Sequence, residues 1–125
     1  MKRRFLLGAF YLASWMPRVF AQWMGRLLGR VLWLANSEAR RVTEINLRLC
    51  YPACSEAERE VLARQSLIAT AMTALETPKV WLGNREALAQ WVTATHGLEA
   101  FEALCEEGNG VLLMVPHIGN WELFN

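Results

Sequence analysis

Between Pro17 and Asn36 the polar side chains fall at Arg18, Gln22, Arg26 and Arg30, and every other position is apolar, aromatic or glycine. On a helix a step of four residues advances about 400°, so these four lie on one slowly drifting stripe. The remaining surface of such a helix has to be covered. An apolar helix with an arginine stripe and tryptophans fits the interface of an anionic membrane, where its apolar side enters the acyl boundary. The other solution is an ordinary helix inside a large core, because buried helices are also apolar all round.

The preceding stretch, "MKRRFLLGAFYLASWMP", has the basic start and apolar run of a signal peptide. It offers no small-x-small cleavage site, and the apolar character continues past Pro17. From Phe5 to Met16 it is too short to span a bilayer, which takes about 20 residues. Arginines flank the apolar run on both sides, so the positive-inside rule favours no clean crossing. We read residues 1–34 as a membrane-associated N-terminal helix that holds residues 35–125 at the cytoplasmic face.

Charge supports that division. Residues 1–48 carry nine Lys/Arg against two Glu, and residues 49–125 carry four against ten, with no Asp anywhere. A basic, apolar third reads as a segment that meets a membrane surface or nucleic acid. Its interleaved Phe, Leu and Trp argue for anionic lipid and against nucleic acid. The 125 residues make at most one ordinary domain, and their 54% apolar content exceeds the usual range for a soluble one. Cys50, Cys54 and Cys105 are an odd, sparse set that reads as reduced thiols. They lack the second pair or the histidines a zinc site needs, so no metal is expected.

Downstream, "NSEARRVTEINLRLC" predicts a helix capped at Asn36 or Ser37, with a stripe of Val42, Ile45 and Leu49, that ends before Pro52. Ser55 with Glu58 three residues on is a capping box. It opens a helix with Val61, Ile68, Met72 and Leu75 on one face, expected to stop at about Glu76 because Thr77-Pro78 follows. Gly83-Asn84 leads into another short helix, and "GLEAFEALCEEGNG" is a helix closed by glycines. The run Val111–Val115 then reads as a buried strand. Helix, glycine stop, strand, turn and a new helix at Trp121 together give the expected fold class: α/β, with helices leading into the first strand of a sheet. In open α/β sheets ligands bind at the carboxyl ends of strands, and His117 sits at that end.

His117 and Glu122 are five residues apart in "PHIGNWE". On a regular helix or strand they would diverge. They can meet only across a turn, and Gly119-Asn120 is a turn signal at that place. Asn120 is also a good N-cap, which puts Glu122 in the first turn of the next helix, where an ionised carboxylate is favoured. Glu122 beside one ring nitrogen of His117 would fix its tautomer and leave the other nitrogen to accept a proton. That is a general base with its orienting carboxylate and no protein nucleophile, so the nucleophile would belong to the substrate. The competing reading is a structural histidine at a strand end. His96, in "TATHG", has no carboxylate at matching spacing and is assigned no role.

"HIGNWE" resembles the His-x4-Asp/Glu block of glycerolipid-type acyltransferases. It is more closely similar to the H-x-G-N-W-E block of the late acyltransferases of lipid A biosynthesis, the lauroyl/myristoyl transferases of Gram-negative bacteria. "NLRLCYP" followed by "SEAERE" is similar to that family's N-L-x-x-C-F-P segment, with Asn46, Cys50 and Pro52 in place and Tyr51 where Phe is usual. The resemblance implies acyl transfer from acyl carrier protein to a hydroxyl of a lipid A precursor, at the inner membrane. It further implies that His117 deprotonates the hydroxyl, that Glu122 orients His117, and that Gly119, Asn120 and Trp121 support the motif. No cofactor is implied, and the three cysteines would be bystanders. Proteins of this family are considerably longer, so residues 35–125 would be an incomplete acyltransferase domain and the chain an inactive fragment of the protein it begins.

Other readings remain: a membrane-anchored, non-catalytic lipid-binding protein with a structural His117, an acyltransferase acting on a glycerol phosphate, and, more distantly, a metal hydrolase.

Overall fold

The structure, a computed structural model, describes residues 2–124, without the side chains of Lys2, Arg3, Phe5 and Phe124. Asn125, where the sequence reading stops, lies outside them. Among the described residues six helices follow one another: α1 (Lys2–Ser14), α2 (Arg18–Leu34), α3 (Glu38–Cys50), α4 (Glu56–Leu82), α5 (Arg85–Ala89) and α6 (Leu98–Glu106). A short 3-10 turn, Trp121–Phe124, comes last.

α2 lies along α4, and this pair carries the core. The buried row of α2 is Ala21, Gly25, Gly29 and Trp33, again four residues apart but one position behind the polar stripe. A Cβ built on Gly25 would stand 2.5 Å from the Met72 Cα, and one on Gly29 would stand 2.6 Å from the Ile68 Cα. The two backbones therefore touch, and glycine alone permits it. Below this seam Trp33 packs with Ala63 and Leu67, and Leu47 of α3 closes the cluster. The Arg40 guanidinium carbon lies 3.8 Å from the Trp33 ring centroid and Arg40 donates to the Trp33 carbonyl, tying α3 back to α2. α1 packs on the far end of α4, where the Phe10 and Trp81 rings are 5.8 Å apart.

Local signals explain the helix starts. The Ser37 hydroxyl accepts from the Arg40 N–H, and Ser55 and Glu58 form the expected reciprocal capping box. The Asn84 side chain caps α5 through the N–H groups of Glu86 and Ala87. Gly108 and Gly110 follow α6 with φ of 73° and 78°, as the glycine stop requires.

Three expectations need correction. The α/β class is wrong for this chain: among the described residues everything regular is helical and no strand forms. Residues 111–115 have the composition of a strand but lie in no ladder, and Leu112 is 93% exposed. A strand, unlike a helix, needs a neighbour for its backbone hydrogen bonds. Next, α4 does not stop near Glu76; it continues through Pro78 to Leu82. Proline removes one helical bond, but Pro78 and Val80 are buried, and that packing outweighs the local bias. Finally, the stripe Val42, Ile45 and Leu49 of α3 stays exposed, and the contact of α3 with the core runs through Leu47.

The boundary expected after residue 34 falls in the turn between α2 and α3, where Asn36 adopts φ 48°. Among the described residues no helix is long and apolar enough to cross a membrane.

Candidate active site

The extended segment 111–116 ends in a tight reversal. The Ile118 N–H donates to the Pro116 carbonyl at 2.8 Å, and Gly119 takes φ 62°, a left-handed conformation that glycine reaches without strain. His117 projects from this reversal into solvent. Its ring meets the Trp121 ring edge-on, with centroids 4.4 Å apart and planes at 80°. An apolar groove of about 180 Å³, lined by Leu113, Met114, Val115, Pro116, Ile118 and Trp121, adjoins it.

Two side chains of the motif reach α4. The Trp81 Nε1–H donates to Glu122 Oε2 at 2.7 Å. Asn120 Nδ2–H donates to Glu76 Oε2 at 2.9 Å. Glu76 is a buried carboxylate, 6% exposed, and its other oxygen accepts from Gln22 Nε2 at 2.7 Å and from Arg18 Nε at 3.4 Å. A carboxylate taken out of water is tolerable only with such donors around it. Arg18 also lies over the Trp91 ring, 4.6 Å from its centroid. Part of the polar stripe of α2 thus serves the protein interior, while Arg26 and Arg30 remain exposed.

The expected turn is present, and it carries His117 and Glu122 off any single regular element. A hydrogen bond between the two is not among those formed by the described residues; Glu122 accepts from Trp81, and the His117 ring meets Trp121. Asn120 precedes the new turn, as expected, and its carbonyl accepts from the Leu123 N–H. Its side chain does not cap that turn, however: Nδ2 donates to Glu76, and Oδ1, the atom that would accept, is buried with no partner among the described residues. The opposite placement of the amide would set its oxygen against a carboxylate oxygen, so the acceptor decides the orientation. A single 3-10 turn also carries little dipole, and Glu122 accepts a hydrogen bond from the Trp81 N–H on α4.

Glu76 and Trp81 were not singled out from the sequence. Glu76 is the one charged residue between Arg64 and Lys79, and a lone charge on the apolar face of a long helix was the available signal. Nothing in the sequence pointed to Trp81. Among the described residues no group of three or more His, Cys, Asp or Glu could hold a metal ion. His96 lies in the exposed stretch before α6.

The sequence profile described as "Bacterial lipid A biosynthesis acyltransferase" matches residues 3–124, nearly the whole chain. The chain belongs to this family. It is 30% identical over 120 residues to lipid A biosynthesis acyltransferase 2 of Shigella flexneri, covering 90% of this chain and 36% of that relative. With the lipid A biosynthesis lauroyltransferase of Escherichia coli K12 it shares 26% identity over 117 residues, covering 94% and 38%. The lipid A biosynthesis myristoyltransferase of the same organism is 32% identical over 101 residues, covering 75% and 28%. The chain thus spans about a third of the length of these curated relatives. No solved structure matches it. As a family segment, the chain contains the His117–Glu122 motif on a turn fastened to α4.

Proposed function

We propose that the protein takes part in lipid A biosynthesis by moving an acyl chain from acyl carrier protein to a hydroxyl of a lipid A precursor. His117 removes the hydroxyl proton as the oxygen attacks the thioester carbonyl, and the carbon–sulfur bond breaks to release the thiolate, to which His117 returns the proton to give the free thiol. Glu122 orients His117 and balances its charge when protonated. Because the acceptor supplies the nucleophile, no cysteine takes part. The observation that carries this reading is the solvent-facing His117, on a turn whose neighbouring residues Asn120 and Glu122 are both bonded to α4. The family match and its three relatives add the substrate class.

In the full-length protein, His117→Ala is expected to lower transfer to a lipid A precursor at least about a hundredfold, the usual scale for losing a general base. Membrane association should survive. Transfer near the wild-type rate would exclude His117 as the base, and efficient use of a glycerol phosphate acceptor would favour the glycerolipid reading.

A second observation favours attachment to the cytoplasmic face of the inner membrane. Tyr11, Leu12, Trp15, Val19, Trp23 and Leu34 are exposed along α1 and α2, beside the free Arg26 and Arg30. These helices lie in the surface of anionic lipid without crossing it. Flotation with phosphatidylglycerol vesicles tests this, and Arg26→Glu with Arg30→Glu should weaken binding by about 1 kcal/mol per arginine. Equal binding to neutral vesicles would remove the electrostatic part of the reading.

A further inference from the structure

The C-terminal turns of α4 make two contacts with the motif, and those contacts differ in kind. At the first, a buried carboxylate divides its oxygens: Oε1 of Glu76 takes Gln22 and Arg18 of α2, and Oε2 takes Asn120 of the motif. At the second, five residues along the same helix, Trp81 gives its indole N–H to Glu122 and its ring face to Phe10 of α1. We propose that Glu76 and Trp81 are positioning residues: Glu76, through Asn120, sets where the His117 turn sits, and Trp81 sets which way the Glu122 carboxylate faces.

The physical case begins with burial. Glu76 is held by α2 and α4 on one side, so its second oxygen has a fixed place and direction. Asn120 binds that fixed point, and a left-handed glycine is all that separates it from Ile118 and His117. The motif segment has few other restraints, since every residue from 92 to 119 is exposed. A bond to a buried acceptor therefore carries an unusual share of the positioning. Asn120 Oδ1 has no partner among the described residues, and burying an amide oxygen without one is costly; the bond that holds this side chain is the one from Nδ2 to Glu76. Trp81 binds Oε2 of Glu122 and so restrains where that oxygen sits. It does so from a ring already packed against α1, so the orientation of Glu122 is tied to the helix pair that bears the exposed apolar surface.

Whether this positioning serves catalysis rests on the function proposed above, but the positioning itself can be read without any activity. The chain has two histidines, and His96 serves as the internal control. We would record the ring signals of both by NMR in the wild type and in Glu76→Ala, Asn120→Ala and Trp81→Phe, with helicity followed by circular dichroism. Glu76→Ala and Asn120→Ala break one bond from its two ends, and the second leaves the helix pair untouched if the first unfolds it. Both are expected to shift and broaden the His117 signal, with His96 and helicity unchanged, and their double variant should add nothing further. Trp81→Phe, which keeps a ring against Phe10, should move His117 less. An unmoved His117 signal in folded Asn120→Ala and Trp81→Phe would overturn the proposal.

In the full-length protein the same variants should lower kcat by about ten- to a hundredfold with KM unchanged, the scale of a small misplacement of a catalytic group. Equal losses in KM and thermal stability would mark a merely structural role and reject the assignment. If His117→Ala retains activity while the NMR shifts appear, the proposed chemistry fails and the positioning stands.

Discussion

Residues 18–82 and residues 92–116 are both rich in Leu, Val and Ala, yet the first region packs until backbones touch and the second buries nothing. The difference lies in what each backbone needs. α2, α3 and α4 satisfy their own hydrogen bonds and then require only complementary surfaces, which the Ala21–Gly25–Gly29–Trp33 row supplies. The 111–115 segment has strand chemistry, and a strand is completed only by another strand. With none beside it among the described residues, Leu112 and Met114 face solvent. α6 keeps Leu98, Phe101 and Leu104 exposed in the same way. Apolar content alone therefore does not predict burial in this chain; a partner element does.

The contrast can be tested hardest with two tryptophans. Trp33 is 9% exposed and sandwiched between the α4 core and Arg40, whereas Trp15 is 76% exposed. Trp33→Ala should lower unfolding free energy by about 3–5 kcal/mol, as expected for an aromatic removed from a core. Trp15→Ala should change it by no more than about 0.5 kcal/mol. Urea unfolding followed by circular dichroism measures both, and similar values would mean that α2 is not packed as described.

Glycines give a second, smaller contrast. Gly8 in α1 has open space where a Cβ would go, while at Gly25 and Gly29 the Cβ would strike the α4 backbone. Gly8→Ala should stabilise by about 0.5–1 kcal/mol through helix propensity. The same change at Gly25 or Gly29 should destabilise by about 1–3 kcal/mol, because the helices must separate. A stabilising Gly25→Ala would show that the seam can open at little expense.

These sites also show what was legible beforehand. The helix starts at Ser37, Ser55 and Asn84 were readable because a cap is a local device, complete within a few residues. The turn at Gly119-Asn120 was readable for the same reason. The α/β expectation failed because pairing is not local: Val111–Val115 has the residues of a strand, but a strand also needs a partner distant in sequence, and none pairs with it among the described residues. Reading Pro78 as a helix end failed for a related reason, since burial of Pro78 and Val80 depends on tertiary packing. At the candidate site, His117 and Glu122 were proposed from their spacing and the turn signal between them, and the structure shows that turn. Glu76 is distant from both in sequence, and only the packing of α2, α4 and the motif brings it to Asn120.

Substitutions in the open region should be nearly silent. Leu112→Ser and Met114→Ser remove apolar groups that already face water, so the unfolding free energy should move by less than about 0.5 kcal/mol. A larger loss would mean that the segment is covered in solution, and would align it with the packed region.

The last test concerns the start of α4, where the packed region begins with an exposed electrostatic device. The Ser55 hydroxyl and then its backbone N–H, both 2.7 Å from Glu58 Oε2, hold the Glu58 carboxyl below the usual glutamate range, with Arg59 adding a little and slight desolvation opposing. A depressed carboxyl stabilises the folded form where it is ionised. Its contribution is therefore complete above the unfolded glutamate pKa and is lost as pH falls through the lower, folded one. Unfolding midpoints taken from neutral to acidic pH should decline in that window. Glu58→Gln should make the decline shallower while leaving the rest of the profile in place. The effect is expected to be the smallest of the set, because the group lies fully in water. An unchanged acidic limb in Glu58→Gln would show that the cap adds geometry to the helix start without charge-dependent stability.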